Sequence, residues 1–241
     1  MPNDYFQFKQ FLINQGNCGM KVTTESCVFG ALINPDVNID SLKILDIGSG
    51  SGLLSIMMAQ RFSDSTVLGV ELDRDAFKES SYNVHSSPWS DRIQLVNTSI
   101  QEYSKTNTDK FNLIISNPPF FKNHLQPTDS KKAQAIHTET LSFDELINAV
   151  TCLLTENGEF HVLLPEYEAG ILQQLLEKQD IHINQSIKVY NTTRSKSVFR
   201  IINAYSSTKK SYSETNFYIR NDQNEYTDKF IKLLSPFYLH L

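Results

Sequence analysis

Asn117-Pro118-Pro119-Phe120 is the group of residues best suited to do chemistry. It follows the apolar run Phe111 to Ile115, which has the length and character of a buried strand. Two prolines end such a strand and restrict the backbone beyond it. Asn117 is then expected at the carboxyl edge of a sheet, the face on which open α/β folds bind ligands. Its side chain offers a carbonyl acceptor and an NH₂ donor, and Phe120 adds a flat apolar face three residues on. Together they suit a planar group carrying an amine. Taken alone, the four residues fit equally well a strand closed by a proline-stiffened turn. The choice rests on what lies upstream.

The upstream stretch is Leu42 to Gly52, LKILDIGSGSG. It reads as a strand running into a glycine-rich turn, with a helix over 53–60. Gly48, Gly50 and Gly52 permit backbone shapes and close approaches that other residues resist. A second strand over 66–71 ends at Glu71, 23 residues after Gly48, the spacing of a nucleotide-binding βαβ unit. A carboxylate there can accept the hydrogens of two ribose hydroxyls. Asp46 stands just before the turn, where it would repel a pyrophosphate but suit a cationic or hydroxyl-bearing ligand. S-adenosylmethionine carries ribose hydroxyls, an amino group and a sulfonium, and no phosphate. It is the cofactor expected here, with S-adenosylhomocysteine as product.

These residues resemble the Rossmann-like S-adenosylmethionine-dependent methyltransferases. The acidic residue and GxGxG of their first motif fall on Asp46, Gly48, Gly50 and Gly52, their ribose acid on Glu71, and their [ND]PP[YF] motif on Asn117, Pro118, Pro119 and Phe120. The resemblance implies methyl transfer to a nitrogen of adenine, guanine or a glutamine side chain. It extends further. Phe6-Gln7-Phe8-Lys9-Gln10-Phe11 and Met20-Lys21-Val22-Thr23-Thr24-Glu25, together with NVHSSPWSDRI over Asn83 to Ile93 and the tail around Asp222 to Thr227, look like the bacterial tRNA1(Val) (adenine(37)-N6)-methyltransferases. That likeness implies transfer to N6 of adenosine 37 in an anticodon loop, with tRNA as partner and Lys21 and Thr24 joining the cofactor residues. Two positions depart from the pattern. Ser99 stands where many relatives carry an acid against the cofactor's adenine amine, and Phe120 where Tyr is common. The alternatives left open are a guanine-N2 methyltransferase of ribosomal RNA and a glutamine-N5 protein methyltransferase. The short amino-terminal segment disfavours the latter, which carries a helical substrate domain there.

The 241 residues suit one large α/β domain, and 40% hydrophobic with 20% charged residues is ordinary for a water-soluble chain. No run approaches a membrane span, and the start lacks a secretion signal. Cys18, Cys27 and Cys152 are few and scattered, which fits a reducing cytoplasm better than a disulfide framework. The six histidines are dispersed, so no metal is expected. No obligate protein partner is evident. The formal net charge of −5 argues against RNA, yet Lys188, Arg194, Lys196, Arg200, Lys209 and Lys210 fall close together. Arg194, Lys196 and Arg200 are the expected phosphate contacts, with a merely solvated basic face as the competing reading. Residues 121–137 lack periodicity and read as a substrate-side lid, with Lys122 contributing a further phosphate contact.

The elements that must position these residues follow the alternation of apolar runs. Strands are expected at 42–47, 66–71, 93–97, 111–116, 158–164, 181–190 and 198–205. Helices are expected at 53–60, 75–86, 142–154 and 167–178, with a further one opening near Thr24. The pattern implies a Rossmann-like, mostly parallel seven-stranded sheet with helices on both faces and a carboxyl-terminal antiparallel hairpin. Residues 1–35 form an extension over the cofactor and substrate site, and 36–241 the methyltransferase domain. Phe6, Phe8 and Phe11 are expected mainly to anchor that extension.

Overall fold

Every residue of the strand β3 (Lys43–Ile47) after Lys43 is buried, as a central parallel strand requires. Alternation along it sends Leu45 and Ile47 to one apolar layer and Ile44 to the other. Asp46 shares the Ile44 face by the same alternation. The computed structural model describes residues 3–36, 41–118 and 141–241.

A two-stranded antiparallel ribbon, β1 (Tyr5–Gln7) and β2 (Leu12–Asn14), precedes helix α1 (Thr24–Leu32). Then come β3, α2 (Leu53–Arg61), β4 (Thr66–Glu71), α3 (Arg74–His85), β5 (Ile93–Asn97), α4 (Ile100–Thr106) and β6 (Phe111–Ser116). Beyond the NPPF segment follow α5 (Phe143–Leu153), β7 (Leu154–Leu164), α6 (Glu166–Glu177), β8 (His182–Thr192), β9 (Arg200–Ser206), β10 (Ser213–Arg220) and α7 (Asp228–Leu234). The main sheet runs β10-β8-β9-β7-β6-β3-β4-β5. All its pairs are parallel except those made by β9, which is antiparallel to β7 and β8. One layer packs α1, α2, α3, α7 and the ribbon against the sheet; the other packs α4, α5 and α6.

The α/β class and the β8–β9 antiparallel pair agree with the expectation, but among the described residues the sheet has eight strands rather than seven. The eighth, β10, reads SETNFYIR, and only its last four residues carry a clear apolar alternation. It is an edge strand, exposed over its first half, so the periodic signal is weak there. The strand expected over 158–164 begins earlier, at Leu154, so Gly158 lies inside β7 rather than at its start. A Cβ there would sit 3.0 Å from the Asn112 carbonyl and 2.8 Å from Leu154 Cδ1, so close strand approach explains the glycine. The amino-terminal phenylalanines are packing residues. Phe8 and Phe11 are buried and stack with centroids 4.4 Å apart, and Phe6 lies against Tyr238 near the carboxyl terminus.

Candidate active site

The parallel strands deliver their carboxyl ends to one edge of the sheet: Gly48 after β3, Glu71 at the end of β4, Ser99 after β5 and Asn117 after β6. Because β9 runs the other way, its first residue, Arg200, comes to the same edge. Asp46, Gly48, Gly50, Gly52, Glu71, Asn117 and Pro118 are therefore neighbours along one rim. Pro119, Phe120 and Lys122 lie outside the described residues, as does the segment 121–137.

The glycine turn is held from both sides. Gly48 and Gly50 adopt φ of 73° and 54°, a region costly for residues bearing a Cβ. The N–H groups of Gly48 and Ser49 donate to the Val70 carbonyl at 2.9 and 3.2 Å. The Gly50 N–H donates to Glu71 Oε2 at 2.7 Å, and the Asp73 N–H to Glu71 Oε1 at 2.8 Å. The carboxylate is thus fixed by two backbone donors, each oxygen keeping a lone-pair direction for a ligand. A Cβ on Gly48 would meet nothing within 4 Å, so the turn faces open space.

Asp46 is wholly buried. Its Oδ2 accepts the Ser55 hydroxyl at 2.7 Å, while Oδ1 has no hydrogen-bond partner among the described residues. Burial raises its pKa to about 7; the Ser55 bond opposes the rise and the Glu71 charge adds to it. Ser55 went unremarked in the sequence, though a serine inside the apolar first turns of a helix behind an aspartate is a readable signal. Ser49 Oγ and Asn117 Oδ1 are also buried without a partner among the described residues. Unpaired buried acceptors and a hydroxyl on residues of one rim suit a polar, hydroxyl-bearing, positively charged ligand. On that test the residues present fit S-adenosylmethionine.

At the end of β6, Asn117 Nδ2 donates to Ser26 Oγ at 3.0 Å and approaches Met20 Sδ at 3.5 Å. Ser116 Oγ donates to the Ile47 carbonyl at 2.9 Å, tying β6 to β3 just before the motif. The residues Met20 and Ser26 were not singled out from sequence, because nothing local links them to a motif some ninety residues away.

The remaining candidates have local surroundings of their own. Lys21 lies beside the Asn3 carbonyl at 3.5 Å and Asp4 at 3.7 Å, at the amino terminus. Thr24 is the first residue of α1. Ser99 is the N-cap of α4, its hydroxyl accepting the Glu102 N–H at 3.1 Å, which explains a serine there without a ligand. The six basic residues do not share a face. Arg194 and Lys196 are exposed in the β8–β9 turn at the carboxyl edge. Arg200 is largely buried and pairs with Glu25 at 3.5 Å. Lys188 pairs with Glu214 at 2.8 Å. Lys210 pairs with Glu159 at 2.8 Å and Asp36 at 3.2 Å near the start of β10, at the opposite edge of the sheet from Arg194. Among the described residues no group of His, Cys, Asp and Glu could hold a metal ion, and no helix is long and apolar enough to cross a membrane.

The architecture recurs in solved proteins. A predicted O-methyltransferase from Agrobacterium tumefaciens superposes with a TM-score of 0.67 at 12% identity, covering 88% of this chain and 95% of its own. A putative class I S-adenosylmethionine-dependent methyltransferase from Listeria monocytogenes gives 0.58 at 14% identity, covering 92% and 70%. At such identities these establish the fold alone. In sequence, residues 31–202 match the Methyltransferase small domain family. A tRNA1(Val) (adenine(37)-N6)-methyltransferase from Cytophaga hutchinsonii is 37% identical over 242 residues, covering 100% of both chains. The enzyme of that name from Mannheimia succiniciproducens is 35% identical over 236 residues, covering 98% of this chain and 94% of its own. With the glycine turn, the Glu71 carboxylate and the Asn117-Pro118 edge assembled on this sheet, the chain belongs to the tRNA1(Val) (adenine(37)-N6)-methyltransferase family, within the methyltransferase small domain group.

Proposed function

We propose that this protein transfers a methyl group from S-adenosylmethionine to the exocyclic N6 of adenosine 37 in the anticodon loop of tRNA1(Val), in the cytoplasm and without a metal. The observation that carries the reading is Asn117 Oδ1, buried and without a partner among the described residues, on the same sheet edge as the glycine turn clasped by Glu71. Full-length likeness to enzymes of that name supports adenine over the guanine-N2 and glutamine-N5 alternatives.

Asp46, Gly48, Gly50 and Glu71 would hold the cofactor, Glu71 through the ribose hydroxyls and Asp46 through charge. When bound, S-adenosylmethionine supplies an electrophilic methyl group on a cationic sulfur. The chain's own residues prepare the acceptor. An adenine amine is a poor nucleophile because its lone pair is conjugated with the ring. Asn117 Oδ1 and the Pro118 carbonyl accept its two N–H hydrogens, which favours tetrahedral nitrogen and frees the lone pair. These acceptors are fixed in advance, so they stabilise the transition state without reorganising. Phe120 stacks on the base. The surplus proton leaves to water once the nitrogen has become a strongly acidic cation, so no general base is required. An anticodon-loop adenosine is already partly unstacked, which lowers the cost of extruding it. Residues 1–35 act as an extension over this site, and Arg194 and Lys196 meet the tRNA backbone.

Incubation with labelled S-adenosylmethionine and unmodified total RNA, followed by nucleoside mapping, tests the reading. Label in N6-methyladenosine at position 37 of tRNA1(Val) is expected. Label in N2-methylguanosine of ribosomal RNA, or in a glutamine, would overturn it.

A further inference from the structure

We infer that Ser26 is a positioning residue for the Asn117 amide and that, together with Met20, it sets which end of that amide faces the reacting amine. The inference rests on the role of Asn117 just given and names what orients it.

An asparagine amide can lie in its pocket in two senses, oxygen and nitrogen exchanged, and only its surroundings decide between them. Here the surroundings differ sharply at the two ends. One end lies 3.0 Å from Ser26 Oγ and 3.5 Å from Met20 Sδ. A thioether has lone pairs but no hydrogen to donate. Setting the amide oxygen beside it would bring two acceptors together, so the NH₂ belongs at that end. The opposite end is then the carbonyl, buried and without a partner among the described residues.

Ser26 can hold this arrangement because it is itself held. Its hydroxyl lies 2.8 Å from Thr23 Oγ1, and its own N–H donates to that oxygen at 3.2 Å. Thr23 is the N-cap of α1. The chain of bonds therefore runs from the amide into the rigid start of a helix in which Cys27, Val28 and Phe29 are fully buried. The far end of α1 is fixed as well, the Arg61 guanidinium donating to the Gly30 carbonyl at 2.8 Å. Ser26 is only 4% exposed, so water does not compete for its hydroxyl.

The consequence is selectivity. An acceptor facing the site welcomes an N–H and repels a carbonyl oxygen. The fixed amide thus favours a 6-aminopurine over a 6-oxopurine before any catalysis occurs. With the amide reversed, the preference would invert. The amino-terminal segment, remote in sequence from the motif, supplies this orientation across the fold.

Two measurements on the full-length protein test the proposal. The first is the side-chain ¹⁵N–¹H₂ signal of Asn117 in the free enzyme, assigned by its loss in Asn117→Asp. Ser26→Ala should shift that pair while other asparagine side chains stay in place. The second is steady-state kinetics with unmodified tRNA1(Val) transcript. Ser26→Ala should lower kcat about tenfold, the scale of one lost orienting hydrogen bond, with RNA KM and cofactor Kd changed less than about twofold. Ser26→Cys, which keeps the shape but accepts weakly, should give the same pattern at smaller amplitude and serves if the alanine variant melts early. An unmoved Asn117 signal, an unchanged kcat, or a rate loss matched by lost cofactor affinity would each overturn the proposal. The amide signal needs no RNA. If the wild-type enzyme fails to methylate the transcript, the proposed function falls while the orientation is still judged by resonance.

Discussion

Gly50 donates its backbone N–H to Glu71 Oε2 over 2.7 Å, so the glycine turn after one strand and the carboxylate ending the next are locked together. The Asp73 N–H takes the other oxygen. The carboxylate is oriented before any ligand arrives, so little ordering cost remains at binding. Glu71→Ala should therefore weaken S-adenosylmethionine binding by roughly 1.5–3 kcal/mol, the range for hydrogen bonds to a charged group. Calorimetry on both proteins checks it, and equal affinities would remove Glu71 from the ribose role.

Asp46 gives a pH signature. Unfolded, an aspartate titrates near 3.9; folded, Asp46 titrates at about 7 because burial disfavours its charge. Between these values the folded state keeps a proton that the unfolded state has lost. Its contribution therefore makes stability fall as pH climbs from about 4 to about 7, then level off. Asp46→Asn carries no such proton and should lack that part of the slope. Urea melts of both proteins across this range test the point. A stability difference that is constant with pH would show that Asp46 titrates as an ordinary aspartate.

Much of this site was legible in the chain because it is local. Asp46, the three glycines and Glu71 sit at spacings set by one strand–turn–helix–strand unit, and Asn117 follows its strand directly. The helix α4 escaped notice because its seven residues, IQEYSKT, bury only Ile100 and Tyr103, too few to establish a period. The ribbon strands β1 and β2 have three residues each, below the length at which alternation can be recognised. Ser26 was invisible for a different reason. Its partner lies 91 residues away, and such contacts are settled by tertiary packing. The basic cluster misled because nearness in sequence is not nearness in space: an antiparallel strand pair carries Arg194 and Lys209 to opposite edges.

Asn117→Ala should leave cofactor binding nearly intact and reduce turnover. Losing one placed acceptor of a transition state costs about 10²–10³ in kcat. The loss should appear in kcat rather than KM if the bond strengthens only as the nitrogen becomes tetrahedral. Single-turnover rates with saturating tRNA, alongside calorimetry of the cofactor, separate the two. Turnover unchanged from wild type would exclude Asn117 from the chemistry. Phe120→Tyr should be tolerated and Phe120→Ala should not, because stacking needs the ring and not the hydroxyl.

The division of the basic residues between two edges sharpens the expectation for RNA binding. Arg194 stands 3.7 Å from Asp222, with both side chains well exposed. Such an exposed pair is weak and screened, so a phosphate can displace it. Lys196 is exposed on the same turn. Lys209 and Lys210 precede β10, whose eight residues carry the chain roughly 25 Å to the carboxyl edge at strand rise. Lys210 is also engaged by Glu159 and Asp36. Neutralising Arg194 and Lys196 together should weaken tRNA binding and reduce the slope of log K against log salt by about 1.4–1.8, the release expected for two phosphate contacts. Methylation should stay at the same nucleoside, because phosphate contacts position without reading sequence. Neutralising Lys209 and Lys210 should leave the slope unchanged. Arg200→Ala should instead lower the melting temperature, since its guanidinium ties β9 to Glu25 on α1. Binding curves at several salt concentrations decide among these. An unaltered slope in the Arg194/Lys196 variant would mean that this turn is merely solvated and that the tRNA backbone is held elsewhere.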